Sequence, residues 1–183
     1  TDNMAVYAVY VPIAGQVRLT VNYVYSNGSL AAQPWVSHVE SGVPCNLTAE
    51  SPAIQGFTPD QTTVSFNDAY TTDKTVTVTY KGAKVNYTVN HYQQNIADDK
   101  YTLLETETKT GYTESEVGAD LAKKYDGFTA LLYDTATTIA ADGSTVVDIY
   151  YDRNYYMLSL DLDGGYGAEP VYARYGAPVE IAT

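Results

Sequence analysis

The chain has a single cysteine in 183 residues, Cys45, so no disulfide can form within it. That excludes the small secreted scaffolds held together by several bridges, although a secreted domain with enough apolar core does without them. Cationic residues are also scarce. Ten Lys and Arg stand against twenty-two Asp and Glu, a formal net charge of −12, and Lys123-Lys124 is the one adjacent basic pair. Nucleic-acid binding needs clustered cations to displace phosphate counterions, so neither DNA nor RNA is an expected partner. A polybasic membrane-surface role is excluded on the same ground.

Long apolar runs are missing as well. None approaches the roughly 20 residues that a spanning helix requires, so membrane insertion is not expected. The opening "TDNMAVYAVYV" has neither a basic n-region nor a long apolar h-region and is not read as a signal peptide; it reads as the edge of an excised fragment. The only histidines, His38 and His91, have no Cys or carboxylate at ligand spacing, and no metal is expected. No H-E-x-x-H, G-x-S-x-G or P-loop lysine pattern occurs, so the chain is not expected to be an enzyme or to hold a cofactor.

What is abundant is tyrosine: nineteen, against three phenylalanines and one tryptophan. With many Thr and Val residues, this composition suits pleated, half-buried strand surfaces, where a ring packs and a hydroxyl reaches polar partners. A mainly β chain follows.

The chain also repeats itself. Thr20-Val21-Asn22 returns as Thr88-Val89-Asn90, an offset of 68; Gly42 aligns with Gly111 at 69; Gly56-Phe57 aligns with Gly127-Phe128, and Tyr80 with Tyr151, at 71. These landmarks define one unit at 16–82 and a second at 83–154. Each opens with a period-two strand: "QVRLTVNYVY" alternates Val17, Leu19, Val21, Tyr23 and Tyr25. Asn27-Gly28 marks a turn after it. Each closes with another strand, "TVTVTY" in the first unit and "STVVDIYY" in the second.

Between the strands of the second unit, "TESEVGADLAKKYDGF" (113–128) predicts a short helix. Thr113 and Glu116 form a capping box, Val117, Leu121 and Tyr125 share a face, Lys123 and Lys124 suit a C-terminus, and Gly127 ends it. In the first unit Pro52 limits any helix in 46–57 to about one turn.

The pattern Tyr87-x-Val89-x-His91-Tyr92-Gln93, then Tyr101-x-Leu103, Glu105-Thr106-Glu107, Gly111, Gly127-Phe128 and Val147-x-Ile149-Tyr150-Tyr151 with Arg153, resembles mucin-binding-protein (MucBP) repeats of Gram-positive surface adhesins. The first unit keeps less of it, with Tyr23-Val24-Tyr25 in place of His91-Tyr92-Gln93. The tail "YYMLSLDLDGGYGAEPVYARYGAPV" is similar to the start of a Listeria–Bacteroides (internalin B-type) repeat, and "AVYAVYV" to the strand that closes one. The resemblance implies tandem β-grasp-like units, α+β in detail, each a mixed sheet with one short helix. Residues 1–15 are then a strand from the end of a preceding repeat and 155–183 an incomplete third. It also implies an extracellular, cell-wall-attached adhesion or spacer module whose partners are its own neighbouring repeats and a host mucin, glycoprotein or glycan. A purely mechanical stalk and an accessory domain of a carbohydrate-active enzyme are the alternatives. The family's motif positions are structural, so the resemblance assigns no ligand-binding residue.

Several residues are weighed individually. Glu105/Glu107 and Asp161/Asp163, spaced i, i+2, share a strand face as acid–base pairs must, while Asp98/Asp99 read as a solvated turn. Asp161-Leu162-Asp163-Gly164-Gly165 reads as a hairpin turn rather than a calcium loop. Cys45 reads as a small packed residue rather than a nucleophile. A Lys–Asn cross-link has candidate lysines, Lys84 and Lys100, and no partner motif. The sequons at Asn27, Asn46 and Asn86 matter only in a eukaryotic secretory host. Trp35, Tyr92 and Tyr112 are the candidates for stacking on sugar rings.

Overall fold

The computed structural model describes residues 15–159, 161, 163 and 169–180. The expected strand at 1–13 therefore lies outside the described residues. The chain divides into two compact units, the first ending at Lys81 and the second beginning at Gly82.

In the first unit β1 (Gln16–Tyr25) and β2 (Leu30–Glu40) form an antiparallel hairpin across the Asn27-Gly28 turn. The turn is held by Asn27, whose Oδ1 accepts from the Ser29 amide at 2.9 Å. β3 (Leu47–Glu50), β4 (Phe57–Pro59) and β5 (Thr63–Phe66) follow, and β6 (Lys74–Gly82) returns parallel to β1. The sheet order is β2-β1-β6-β4, with β3 and β5 paired separately. Alternation puts Val17, Leu19, Val21 and Tyr23 of β1 and Val78 and Tyr80 of β6 on one face. Ala49, Val64 and Phe66 of the small β3–β5 sheet join the same core.

The second unit repeats the plan. β7 (Lys84–Gln94) and β8 (Tyr101–Tyr112) form the hairpin, β9 (Phe128–Ala130) is short, and β10 (Val146–Arg153) returns parallel to β7. The order β8-β7-β10-β9 matches β2-β1-β6-β4 strand for strand. Register matches too: Val21 pairs with Val76 as Val89 pairs with Val147, and Tyr23 pairs with Val78 as His91 pairs with Ile149. A final hairpin, β11 (Tyr155–Leu158) and β12 (Val171–Arg174), lies within the second unit.

The α+β expectation is corrected here: the described residues contain twelve strands and no helix. Residues 113–127 cover the second sheet as turns and extended chain, with one bridge between Glu116 and Thr138. The physical reason is visible at two residues. Glu114 and Gly118 have φ of 66° and 85°, left-handed values that break a right-handed helix. The intended cap, Thr113, instead sends its amide to the Ala83 carbonyl at 3.0 Å. Val117 and Leu121 are nevertheless buried, so the i, i+4 spacing marked a core-facing segment of another conformation.

Distant tyrosine hydroxyls supply the hydrogen bonds that a helix would have made internally. The Tyr133 hydroxyl accepts from the Leu121 amide at 3.0 Å and donates to the Gly118 carbonyl at 3.1 Å. The Tyr151 hydroxyl accepts from the Lys123 amide at 2.8 Å. In the first unit Tyr80 donates to the Pro52 carbonyl at 2.6 Å, and Tyr23 to the Glu50 carbonyl at 3.2 Å. The closing-strand tyrosine of each unit thus pins its covering segment, at Pro52 and at Lys123, 71 residues apart.

One aligned landmark is also corrected. Gly111 lies in β8 opposite Val85, where a Cβ would come within 2.2 Å of Ile139 Cδ1. The counterpart of Gly42 is Glu114. Gly42, with φ 76°, donates its amide to Tyr70, and Glu114 donates its amide to Ile139, in the same turn after the hairpin.

Candidate functional site

The second sheet has two faces, and both bear polar clusters. On the inner face β7 supplies His91, fully buried, opposite Glu105 of β8. Glu105, Glu107 and Lys109 alternate along that face of β8. The covering segment lays Lys123 and Tyr125 over them. Lys123 Nζ lies 3.0 Å from Glu105 Oε1 and also pairs with Glu107, while Lys109 Nζ is 3.0 Å from Glu107 Oε2. The Tyr125 hydroxyl donates to Glu105.

His91 Nδ1 is 2.9 Å from the Tyr151 hydroxyl. That oxygen also accepts from the Lys123 amide, so one hydroxyl ties the imidazole to the covering segment. Nε2 faces Glu107 Oε2 at 3.7 Å, beyond hydrogen-bond length, and finds no hydrogen-bond partner among the described residues. Burial, reinforced by the Lys123 charge, holds the His91 pKa below its ordinary value and keeps the ring neutral.

The paired carboxylates are held in one state. Hydrogen bonds from Lys123 and then Lys109 bring the Glu107 pKa down to about 2, and the Tyr125 and Lys123 hydrogen bonds lower that of Glu105. Lys123 is raised in turn by both glutamates. An acid–base pair needs one carboxyl raised and one ionised. Here both are fixed as anions inside an ion-paired cluster, which suits a structural role.

The outer face is different. Tyr92 of β7 and Tyr150 of β10 are register partners whose rings stack at 5.0 Å and 19°. Tyr101 sets its ring edgewise to Tyr150, at 5.0 Å and 74°, and its hydroxyl donates to Asp152. That hydrogen bond pushes the Tyr101 pKa up to about 12. Beside the rings, Asn90 donates to Asp148 Oδ1 at 2.9 Å and accepts from the Thr106 hydroxyl at 2.8 Å. Register places Val24, Thr77 and Thr79 of the first unit where the second has Tyr92, Asp148 and Tyr150. The aromatic face therefore belongs to the second unit alone.

Of the three stacking candidates, Tyr92 is the one on this face. Trp35 lies stacked on Phe66 at 5.7 Å and packs against the first core. Tyr112 is exposed on β8, with the Lys84 ammonium 6.0 Å from its ring centroid. In the sequence Tyr101 and Tyr150 stand out only as positions of the repeat motif, not as stacking candidates; period-two alternation from Tyr92 and the parallel return of β10 lead to Tyr150.

The other candidates separate. His38 is exposed on β2 opposite Arg18. Cys45 Sγ lies 3.3 Å from the Asp68 carbonyl, half-buried against the first core. Asp98 closes a turn by accepting from Asn95 and from the Lys100 amide, while Asp99 pairs with Arg174. The Asp163 amide donates to Asp161 at 3.1 Å with φ 48° at Asp163, a turn geometry; Leu162, Gly164 and Gly165 lie outside the described residues. Among the described residues no group of His, Cys, Asp and Glu could hold a metal, and no helix is long and apolar enough to cross a membrane.

No family model and no curated protein matches the chain. Among solved structures it is similar to a MucBP domain of the protein LBA1460 from Lactobacillus acidophilus, at 21% identity and a TM-score of 0.28, over 37% of this chain and 91% of that one. It is also similar to Streptococcal High Identity Repeats in Tandem (SHIRT) domains 3-4 from a cell surface protein, at 15% identity and a TM-score of 0.26, over 75% and 98%.

Proposed function

We propose that the chain is a non-catalytic adhesion or spacer module of an extracellular bacterial surface protein, with 16–82 and 83–154 as two copies of one unit. The supporting observation is the matched strand order and register of the two sheets. Writing one architecture twice in tandem extends reach, and each copy is free to carry its own face. Cell-wall attachment and a mucin or host glycoprotein partner belong to this reading.

Contact with a glycan is assigned to the outer face of the second unit. Stacked and edgewise tyrosines offer apolar ring surface to a pyranose, while Asp148, Asp152 and Asn90 offer acceptors and a donor to hydroxyl groups. The carboxylates and the net charge of −12 favour uncharged sugars over sialylated or sulfated ones. An array of neutral and acidic mucin-type glycans tests this. Binding to neutral glycans that is lost in Tyr150→Ala supports the adhesion reading. Binding to none leaves the mechanical stalk.

A further inference from the structure

The His91 ring is fully buried, yet its Nε2 has no hydrogen-bond partner among the described residues. Buried polar atoms are nearly always matched, so this orphan calls for a reason. The group that it faces supplies one. Glu107 Oε2 lies 3.7 Å away, too far for a hydrogen bond and near enough for an ion pair with a protonated ring. The charges and hydroxyls around the ring come from three directions. β8 presents Glu105, Glu107 and Lys109, the covering segment presents Lys123 and Tyr125, and β10 presents the Tyr151 hydroxyl. While His91 is neutral, two lysines balance two glutamates. A proton on His91 puts a third cation beside the same carboxylates. Lys123 is the lysine whose charge acts on the ring. Lys109 is fixed in the ladder of β8, whereas Lys123 sits in a stretch, 122–125, that belongs to no strand.

A second competition falls on the same residue. The Tyr151 hydroxyl oxygen accepts from the Lys123 amide at 2.8 Å and lies 2.9 Å from His91 Nδ1. In a protonated imidazole both nitrogens are donors, so Nδ1–H and the Lys123 amide then converge on one oxygen that also carries its own hydrogen. Protonation therefore weakens the hold on Lys123 at both ends, the ammonium at Glu107 and the amide at Tyr151.

We infer that His91 is an acid-operated latch: its protonation exchanges Lys123 for His91 as the partner of Glu107 and lets residues 122–126 lift from a second sheet that itself stays folded. At one end the Leu121 amide remains on the Tyr133 hydroxyl, and at the other Gly127, at φ 77°, turns the chain. Burial and the Lys123 charge set the transition below the ordinary histidine range, and Glu107, at about 2, stays ionised through it. The first unit has no such latch, because Tyr23 takes the counterpart position and the Tyr80 hydroxyl holds the Pro52 carbonyl. The device is independent of the glycan reading, since Tyr92 and Tyr150 lie on the other face of the sheet.

Amide exchange on the full chain between about pH 7.5 and about pH 4.5, corrected for the intrinsic rate, tests it, with the His91 ring-proton titration read on the same samples. Below the His91 midpoint, protection of the Lys123 amide is expected to fall by a factor approaching about tenfold per pH unit, the slope of one proton. The amides of β7 and β10 are expected to keep theirs. His91→Phe abolishes the fall. Lys123→Met removes the competing cation and raises the His91 midpoint, a readout that serves even if His91→Phe does not fold. A ring that stays neutral down to about pH 4.5 overturns the inference, as does Lys123 protection that holds steady while His91 titrates. A loss shared equally by β7 and β10, a loss that persists in His91→Phe, or a midpoint unmoved in Lys123→Met overturns it too.

Discussion

Tyr23 and His91 occupy one position in two copies of the same sheet. Each is buried on the first strand, each faces the partner residue two before the closing tyrosine, and each meets that tyrosine's ring, at 6.4 Å for Tyr23–Tyr80 and 5.8 Å for His91–Tyr151. The first unit thus fills the site with a group that stays neutral across physiological pH. The second fills it with an imidazole.

A pH dependence follows for the second unit only. The folded His91 pKa lies below the ordinary value of 6.5, so the unfolded chain binds the proton more readily. The stability contributed by neutral His91 is complete above about pH 6.5 and falls as pH drops toward the folded pKa. Below the ordinary carboxylate range, protonation of Glu105 and Glu107 removes a further contribution, since both are lowered in the fold. Urea unfolding followed by unit-resolved amide exchange at pH 7.5 and 5.5 is expected to show loss in the second unit and little change in the first. His91→Phe is expected to flatten the profile between those pH values.

The hydroxyls of the closing-strand tyrosines are expected to matter unequally. Tyr151→Phe removes the acceptor of the Lys123 amide and the partner of His91 Nδ1, leaving two groups unmatched, whereas Tyr80→Phe unmatches only the Pro52 carbonyl. Leaving a buried polar group unsatisfied costs about 1–3 kcal/mol, so Tyr151→Phe is the costlier change. Chemical denaturation of both variants, with each unit followed separately, gives the comparison.

The counterpart positions Gly42 and Glu114 make opposite predictions. Both sit at positive φ in the same turn, and a non-glycine residue there carries roughly 1 kcal/mol of strain. Glu114→Gly is expected to stabilise the second unit by up to that amount, and Gly42→Glu to destabilise the first by a similar one. Thermal or urea midpoints measure both.

Gly127 secures the third hairpin. Its φ is 77°, and a Cβ there would lie 2.1 Å from the Tyr175 ring, which packs edgewise on Phe128 at 6.0 Å. Gly127→Ala is expected to lift Tyr175 and raise amide exchange across β11 and β12, while exchange in β7 and β10 stays protected.

Much of the fold could be read from residue order. Alternation located β1, β6, β7 and β10, because each buries one face, and the Tyr80–Tyr151 landmark marks equivalent positions. The covering segment was misread because its hydrogen bonds are long-range. The spacing of Val117 and Leu121 is shared by a helix and by a loop pressed on a sheet, and only Tyr133 and Tyr151, far along the chain, decide between them. The β3–β5 pair was missed because strands of four residues carry little periodicity. Gly42 was matched to the wrong residue because identity favours Gly111, whereas backbone conformation selects Glu114. The outer face was legible in part: Tyr92 stood out and the parallel return of β10 leads to Tyr150, but Tyr101 lies across a hairpin whose register shifts between His91 and Tyr92, which no local pattern reveals.

The assignment of glycan contact to the second unit is tested most directly by an NMR titration of the full chain with a neutral mucin-type oligosaccharide, observed at the tyrosine ring resonances. Shifts confined to Tyr92, Tyr101 and Tyr150, absent for Tyr23 and Tyr80 and abolished by Tyr150→Ala, are the predicted result. Rings of the outer face that stay unperturbed at millimolar sugar (about 1 mM, the weak limit of specific recognition), or shifts that gather in the first unit, would contradict it.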